Sequence, residues 1–262
     1  MSLNRPAMIF TSFIVASATL IITAPPFFPS GTLPIQPQRH TALIREIRGS
    51  TATSNNWSGY TVTGSKDSFA GASGSWMVPT LICGAKDAYS ATWVGIDGWI
   101  SNTVQQIGTE SDCINGKASN YAWYEFYPHN FFTIENVPIS PGDPISASVE
   151  YSGGKFIVSL ADANVNPNAP FTISTKMPQA QRKSAECIVE AVYSGGVLPL
   201  ANFGTEQFNC SAATGSILMP FGSFPAADVV AITMITKNGA TKAVPSALAG
   251  SSFSDSWVEE GP

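Results

Sequence analysis

Charged side chains are scarce in this chain. Asp, Glu, Lys and Arg make up 12% of its 262 residues, about half of the ~25% found in average soluble domains. Hydrophobic residues make up 44%, which is enough for a sizeable core. A surface with few charges is typical of an exported protein. It also suits acidic surroundings, where carboxylates are neutralised and surplus cations would repel one another.

Basic residues are scarcest in the larger part of the chain. Four of the 13 Lys and Arg residues, but one of the 18 Asp and Glu residues, lie within residues 1–50. Residues 51–262 therefore hold nine basic and 17 acidic side chains, a net charge of −8. This excess of acid argues against a nucleic-acid partner, which requires a basic face. No run of Lys and Arg and no basic amphipathic helix indicates binding to a membrane surface.

Histidine and several common catalytic motifs are rare or missing. The two histidines are His40 and His129, and no G-x-S-x-G, H-E-x-x-H or Asp-Thr/Ser-Gly motif occurs. Because His40 lies near the N-terminus, only His129 remains for a Ser-His-Asp or Cys-His site. There is no C-x-x-C pair, and we expect neither a metal nor a cofactor. Acid–base chemistry would then use carboxylates, which favours acidic conditions because a free Glu titrates near ~4.3.

Long segments with helical periodicity are also lacking. Short apolar runs separated by Gly, Pro, Asn and Ser clusters predict β-strands instead. Many short strands of this kind indicate an all-β fold, either an antiparallel sandwich or a barrel. The candidate strands are Gly59–Thr63, Ser75–Val78, Ala91–Ile96, Tyr121–Tyr127, Ile145–Tyr151, Phe156–Leu160, Phe171–Thr175, Ala185–Val192, Val229–Ile235 and Ser252–Val258.

An apolar run stands near the N-terminus. It extends from Ala7 to Ala24 behind Arg5 and contains small residues suited to cleavage. This pattern predicts a signal peptide over residues 1–24, and hence a secreted protein. The alternative is an uncleaved membrane anchor, although the run is short and interrupted for a span. After cleavage we expect no stable association with a membrane.

The section that follows, residues 25–54, is set apart by its prolines. We interpret it as a linker or a pro-segment. Within it, the stretch from Thr41 to Arg48 predicts a short basic helix. Residues 55–262 then form the main domain, which is long enough for one all-β unit.

Four cysteines follow the apolar run, so two disulfides with three possible connectivities are expected after export. We favour Cys83–Cys113, because both residues lie in loop-like sequence around one motif-rich stretch. Cys187–Cys210 would follow by elimination. Cys187 lies in the middle of a predicted strand, however, and a free buried thiol is the alternative there.

Two predicted strands place polar and aromatic side chains on one face. Alternation along the first strand puts these side chains together, as a binding groove would: Tyr121, Trp123, Glu125 and Tyr127. In the second strand, Glu186 and Glu190 share a face while Cys187 points to the core. Taken singly, these residues have ordinary interpretations. Glu186 is expected to be solvated, Asp97 reads as a turn residue, and Gln105-Gln106 as neutral surface.

Six segments together carry a more specific signal. They are Asn56-Trp57-Ser58-Gly59-Tyr60, Ser75-Trp76-Met77-Val78-Pro79, Trp93-Val94-Gly95-Ile96-Asp97-Gly98, Gln106-Ile107-Gly108, Tyr121 to Pro128, and Ala185-Glu186-Cys187-Ile188-Val189-Glu190. In this order the segments resemble the glutamic peptidases (eqolisins, peptidase family G1). The resemblance runs from Asn56 to about residues 200–208 and extends toward the end of the chain.

The resemblance implies a fold, a reaction and a site. The fold would be a sandwich of two antiparallel sheets, of the concanavalin A-like or jelly-roll type. The protein would be an acid endopeptidase acting on proteins and peptides, and we expect it to be a monomer. Its catalytic dyad would match Gln106, which stabilises the oxyanion, and Glu190, which activates water. The supporting groove residues would match Trp93, Asp97, Glu110 and Glu125. Trp123 and Tyr127, which alternation places on the face of Glu125, are added as substrate-binding candidates.

Two positions depart from the family pattern. Tyr121 stands where better-known members carry Asp, and Cys187 stands where an aromatic is usual; both bear on specificity and pH optimum. The basic section before residue 55 would suit an inhibitory pro-segment on an acidic groove. Cutting near residues 49–55 should then raise activity.

Two other classes of protein fit parts of the pattern. A jelly-roll glycoside hydrolase would use Glu125 and Glu190 as a carboxylate pair, about 5–9.5 Å apart, with no role for Gln106. A lectin-like module would bind in the groove and cleave nothing. Gln106→Ala separates the three, because only the peptidase should lose its activity.

Overall fold

The computed structural model describes residues 42–261. The predicted signal peptide, its anchor alternative and the start of the predicted linker lie outside these residues. Within the described part of the chain, no helix is long and apolar enough to cross a membrane.

The described residues form 17 β-strands and one short 3-10 helix, Phe221–Ser223. The strands are β1 Ile44–Arg48, β2 Thr51–Ser54, β3 Trp57–Thr63, β4 Gly71–Met77, β5 Ala88–Asp97, β6 Val104–Ile114, β7 Lys117–Tyr127, β8 Phe132–Ile134, β9 Pro144–Ser152, β10 Lys155–Asp162, β11 Phe171–Thr175, β12 Ser184–Glu190, β13 Thr205–Thr214, β14 Ile217–Pro220, β15 Val229–Ile235, β16 Thr241–Pro245 and β17 Ser252–Trp257. Each of the ten predicted strands overlaps one of these.

The strands make two layers. The first follows the order β3–β12–β5–β6–β7, and β15 extends it beyond β3. The second follows the order β17–β13–β4–β9–β10–β11. Pairing of β15 with β16 and of β16 with β17 joins the two layers into one network. All pairs are antiparallel except β2 with β15, so the predicted sandwich of antiparallel sheets is confirmed.

The prediction of a helix from Thr41 to Arg48 is wrong. The segment Ile44–Arg48 is strand β1 and pairs with β2 through a turn that contains Gly49. A helix of eight residues is marginal in water without tertiary support. Pairing with β2, which itself pairs with β15, gives the same backbone groups stable partners.

The core lies between the layers and is built by strand alternation. Along the long strands of both layers every second residue points inward, among them Val94, Ile96, Ile107, Phe156, Val158, Leu160 and Phe208. Burial of side chains of this size contributes about 1.5–3 kcal/mol each. The outward face of the first layer is left free for other chemistry.

Two disulfides complete the fold. Cys83 is bonded to Cys113, as favoured from the sequence. Cys187 of β12 is bonded to Cys210 of β13 and so connects the first layer with the second. Cys187 is therefore not the free thiol considered as an alternative.

Candidate active site

Strand β6 brings the candidate residues to the outward face of the first layer. Ile107 points into the core, so alternation turns its even-numbered neighbours to the opposite face. These neighbours are Gln106, Gly108, Glu110 and Asp112. Strand β6 is not among the ten candidate strands of the sequence analysis, although Gln106 was singled out there.

Cross-strand register places the other candidates beside these residues. Gln106 pairs with Glu125 of β7, and Glu110 pairs with Tyr121. On the other side of β6, Glu110 pairs with Ala91 of β5, which in turn pairs with Glu190 of β12. The two proposed dyad positions therefore lie on one sheet face, two strands apart and four residues offset along the strands.

Glu190 is held by donors to both of its oxygens. The side chain is fully buried. Asn56 Nδ2 donates to Oε1 at 3.1 Å, and Trp93 Nε1 donates to Oε2 at 3.0 Å. The Trp93 ring is itself fixed by an edge-to-face contact with Trp57, with 4.8 Å between ring centroids. These contacts set the orientation of the carboxyl group.

Gln106 is oriented by Glu125. Its Nε2 donates to Glu125 Oε2 at 2.7 Å, and both side chains are buried. No group in the described part of the chain donates to Gln106 Oε1. Because a buried carbonyl is costly when unsatisfied, this oxygen is suited to meet water or a substrate.

Gly95 makes room for the Trp93 indole, and Gly108 lets β6 pass close to the backbone of β5. A Cβ on Gly95 would lie 2.9 Å from Trp93 Cζ3, and one on Gly108 would lie 2.6 Å from Trp93 Cβ. A larger residue at Gly95 would displace the ring that donates to Glu190, and one at Gly108 would push away the strand that carries this ring. The glycine of the Gln106-Ile107-Gly108 motif therefore has a packing role in the site.

Asp97 makes its contacts at the end of β5, away from the dyad positions. Its carboxylate accepts from the backbone N–H groups of Gln181 and Arg182 at 2.8 and 2.9 Å, and of Lys183 at 2.9 Å. Thr103 Oγ1 donates to it at 3.3 Å. Asp97 therefore fixes the loop that leads into β12, the strand of Glu190.

Glu110 belongs to a cluster that the sequence analysis identified only in part. Its carboxyl group contacts that of Asp112, and the Tyr121 hydroxyl contacts Asp112. Burial, the Asp112 charge and the Glu190 charge raise the pKa of Glu110 well above its ordinary value. Burial also raises the pKa of Asp112 to about 7. Asp112 was missed, although its spacing of two from Glu110 on one strand was a usable signal.

Glu186 was expected to be solvated, and this expectation is wrong. The side chain is fully buried, and its strand β12 is an inner strand between β3 and β5. Thr61 Oγ1 donates to Glu186 Oε1 at 3.3 Å. Burial raises the pKa of Glu186 well above its ordinary value, and the nearby Asp97 charge adds to the shift.

The aromatic residues of β7 line one side of the same face. Trp123 is buried and lies against Phe131, with 6.2 Å between ring centroids. Tyr127 ends the strand, half-buried, opposite Val104 of β6. No group of acidic, His or Cys side chains in the described residues is arranged to hold a metal ion.

The all-β sandwich and this face of acids, amides and indoles define a hydrolase of the glutamic peptidase type. The sequence profile of the Peptidase A4 family matches residues 55–256. The chain therefore belongs to that family, which confirms the assignment made from the motifs.

Individual relatives support the same family assignment. The chain is 29% identical over 205 residues to aspergillopepsin-2 of Aspergillus niger, covering 68% of this chain and 72% of the relative. It is 35% identical over 108 residues to scytalidopepsin B of Scytalidium lignicola, covering 40% and 39%. Among solved structures, scytalido-glutamic peptidase with a transition state analog inhibitor superposes with a TM-score of 0.65 at 26% identity, covering 78% of this chain and 98% of that one.

Proposed function

We propose that this chain is a secreted acid endopeptidase that uses Gln106 and Glu190 as a catalytic dyad. The observation that carries the proposal is the pair of donors, Asn56 and Trp93, that orient the buried Glu190 carboxyl. Gln106 lies on the same sheet face with its carbonyl oxygen unpartnered within the described residues. Family membership supports hydrolysis of peptide bonds over the glycosidase and lectin alternatives.

The reaction follows from the chemistry of the two side chains. Glu190, as a carboxylate, takes a proton from water while the water oxygen bonds to the scissile carbonyl carbon. The resulting oxyanion accepts an N–H from the Gln106 amide. Protonated Glu190 then gives its proton to the amide nitrogen, the C–N bond breaks, and the carbonyl reforms. A carboxylic acid and an amine leave, and Glu190 returns to its starting state.

An amide suits this role in acid. It stays neutral at low pH, so the Gln106 donor is retained where a histidine would gain a charge. Glu125 accepts from Nε2 and leaves the second N–H of that amide for the oxyanion. Removal of one donor of this kind typically lowers kcat by about 10²–10³.

The substrate would be a peptide in an extended conformation. Trp93 and Trp123 provide flat, buried surfaces on either side of Gly108. A solved relative described as a member of the eqolisin family, with a TM-score of 0.59, holds the tripeptide Ala-Ile-His. The acidic charge of residues 51–262 and the two disulfides are consistent with export into an acidic medium.

The proposed pro-segment gains support from one contact before residue 55. Leu43 donates its backbone N–H to Asn56 Oδ1 at 2.7 Å, and Asn56 is the residue that donates to Glu190. Removal of the segment that carries Leu43 and β1 would release this contact. The proposal that a cut near residues 49–55 raises activity therefore stands, and equal rates before and after the cut would contradict it.

Digestion of a denatured protein at pH ~3–4, near the free Glu pKa, tests the function. It should be run with pepstatin present, so that aspartic peptidases do not contribute. We expect the protein to cleave this substrate. Glu190→Gln and Gln106→Ala should each lower kcat by about 10²-fold or more. Gln105→Ala is the matched control, because Gln105 is the adjacent residue on the opposite face of β6.

Two results would contradict the proposal. One is an absence of cleavage by the mature protein anywhere between about pH 2 and 6, the range in which a Glu titrates. The other is equal activity of Gln106→Ala and Gln105→Ala, which would show that Gln106 takes no part in the cleavage.

A further inference from the structure

Glu110 and Asp112 form a pair of buried carboxyl groups beside the proposed dyad. They are two residues apart on β6 and therefore share its outward face. Glu110 is 1% exposed and Asp112 is 6% exposed. The proposed mechanism uses neither residue, although Glu110 lies in the same cross-strand row as Glu190, with Ala91 between them.

The contact between the two carboxyl groups depends on a proton. No N–H or hydroxyl group in the described residues donates to either oxygen of Glu110. The two carboxyl groups nevertheless lie within hydrogen-bonding contact of each other. Since an ionised carboxylate only accepts, this contact is a hydrogen bond only while at least one of the two groups is protonated.

The groups around the pair favour that proton. From β12 the Glu190 charge faces Glu110, and from β6 itself the Asp112 charge does so. From β7 the Tyr121 hydroxyl and from β5 the Ser90 backbone N–H contact Asp112, and both lower the pKa of Asp112. Tyr89 of β5 lies opposite Asp112 in register. These donors favour a charge on Asp112, and because two like charges in a buried site oppose each other's ionisation, the proton is held by Glu110. Burial and the neighbouring Asp112 raise the pKa of Glu110 accordingly.

We propose that Asp112 is a positioning residue that keeps Glu110 protonated beside Glu190, and that ionisation of Glu110 sets the alkaline limit of catalysis. The proposal rests on the dyad proposed above. While Glu110 is neutral, Glu190 has no second negative charge in its row. Once Glu110 ionises, a second negative charge stands beside the Glu190 carboxyl group, and the reaction slows.

Asp112→Asn tests this role through the pH profile. The substitution removes the charge and the acidic partner but keeps the shape of the side chain. Glu110 should then ionise at lower pH, and the alkaline limb of kcat/KM should move down by about one pH unit, a typical effect of one close charge. The acidic plateau should stay within a few-fold of the wild-type value. A purely structural defect would instead lower the rate equally at every pH.

The double variant shows whether the effect passes through Glu110. In a Glu110→Gln background the side chain of residue 110, beside Glu190, is neutral at every pH. Adding Asp112→Asn there should leave the position of the alkaline limb unchanged, whatever rate Glu110→Gln retains. Enzyme must be kept in acid until it is mixed with buffered substrate, and initial rates recorded, so that slow unfolding does not contribute.

Carboxyl ¹³C NMR titration of Glu110 gives a readout that does not need activity. The Glu110 transition should move to lower pH in Asp112→Asn. If the Glu110 transition moves to lower pH but no form of the protein cleaves a peptide, the dyad proposal fails. The proposal that Asp112 keeps Glu110 protonated then still stands. If the Glu110 transition and the alkaline limb each lie at the same pH in Asp112→Asn as in the wild type, the role of Asp112 is refuted. The same limb shift in the Glu110→Gln background would also refute it.

Discussion

Two pairs of buried carboxyl groups lie on either side of the first layer. Glu110 and Asp112 lie on the outward face of the first layer, and Glu206 and Asp255 lie opposite each other on β13 and β17. Burial raises the pKa values in both pairs. The outer pair borders the site where substrate would bind, whereas the inner pair points into the space between the layers. The same chemistry should therefore govern catalysis in one region and folding in the other.

The inner pair is tied to the strands that carry the site. Thr92 Oγ1 donates to Glu206 Oε2 at 2.8 Å, and Ser58 Oγ donates to Asp255 Oδ1 at 2.9 Å. Their chain neighbours, Trp93 and Trp57, pack against each other on the opposite face. Adjacent residues of one strand thus serve the core and the candidate active site, and single substitutions can separate the two.

Raising the pH should produce the largest effect, through the inner pair. Burial raises the pKa of Glu206 and of Asp255 to about 8, above the ~4 of the unfolded chain. The folded state binds more protons in this window, so stability is fully present below about pH 4 and is lost as pH rises toward 8. At about 1.4 kcal/mol per unit of pKa difference, ionisation of each carboxyl group lowers the free energy of unfolding by several kcal/mol over this pH range. Tryptophan fluorescence and circular dichroism should show unfolding as the pH approaches 8. A protein equally stable at pH 4 and 8 would contradict this.

Neutral analogues of the inner pair should remove part of this effect. Glu206→Gln and Asp255→Asn cannot ionise, so each should move the midpoint of alkaline unfolding to higher pH, and the double variant should move it further. The exposed Glu135→Gln is the control and should not move it. If the two inner variants unfold at the wild-type pH, the charge that opens the layers lies elsewhere.

Thr92→Val should destabilise the core without changing the chemistry of the site. The substitution removes the donor to a buried carboxyl at nearly constant volume, which typically costs about 1–3 kcal/mol. Urea unfolding at pH ~4, close to the free carboxyl pKa, measures the loss. At temperatures well below unfolding, kcat should stay near the wild-type value. A large loss of kcat in a fully folded Thr92→Val protein would show that the two faces are not separable.

Trp93→Phe is the converse change, one residue along the same strand. It keeps an aromatic ring but removes the N–H that donates to Glu190. Hydrogen bonds to charged groups contribute about 1.5–3 kcal/mol, so kcat should fall about tenfold or more. Trp57→Phe is the matched control, because Trp57 Nε1 has no acceptor among the described residues. Equal kinetics of the two variants would remove the orienting role of Trp93.

Alternation and turn residues predicted most of the sandwich, because many of its strands have one apolar face. Strand β6 is absent from the predicted strands because neither of its faces is apolar throughout. Its outward face carries Gln106, Glu110 and Asp112, and its inward face carries Gln105, Thr109 and Ser111 beside Ile107, so the apolar pattern is lost where the site lies. Order along the chain and resemblance to a family pointed to Gln106 and Glu190, whereas periodicity did not.

Burial of acids was harder to foresee. The donors that make it possible come from far along the chain, as with Thr92 and Glu206, which are 114 positions apart. A local pattern around Glu186 could not show that its strand would be covered by β3 and β5 on either side. The contacts of Asp97 with the loop before β12 are long-range in the same way.

The bond between Cys187 and Cys210 joins the two layers close to the inner acids. Cys210 lies on the same strand as Glu206, and Cys187 lies on the strand of Glu190. If charge drives the layers apart in a neutral medium, this crosslink keeps the strands tethered and limits the disorder of the opened chain. The protein should therefore be inactivated reversibly, and regain its rate when the medium becomes acidic again.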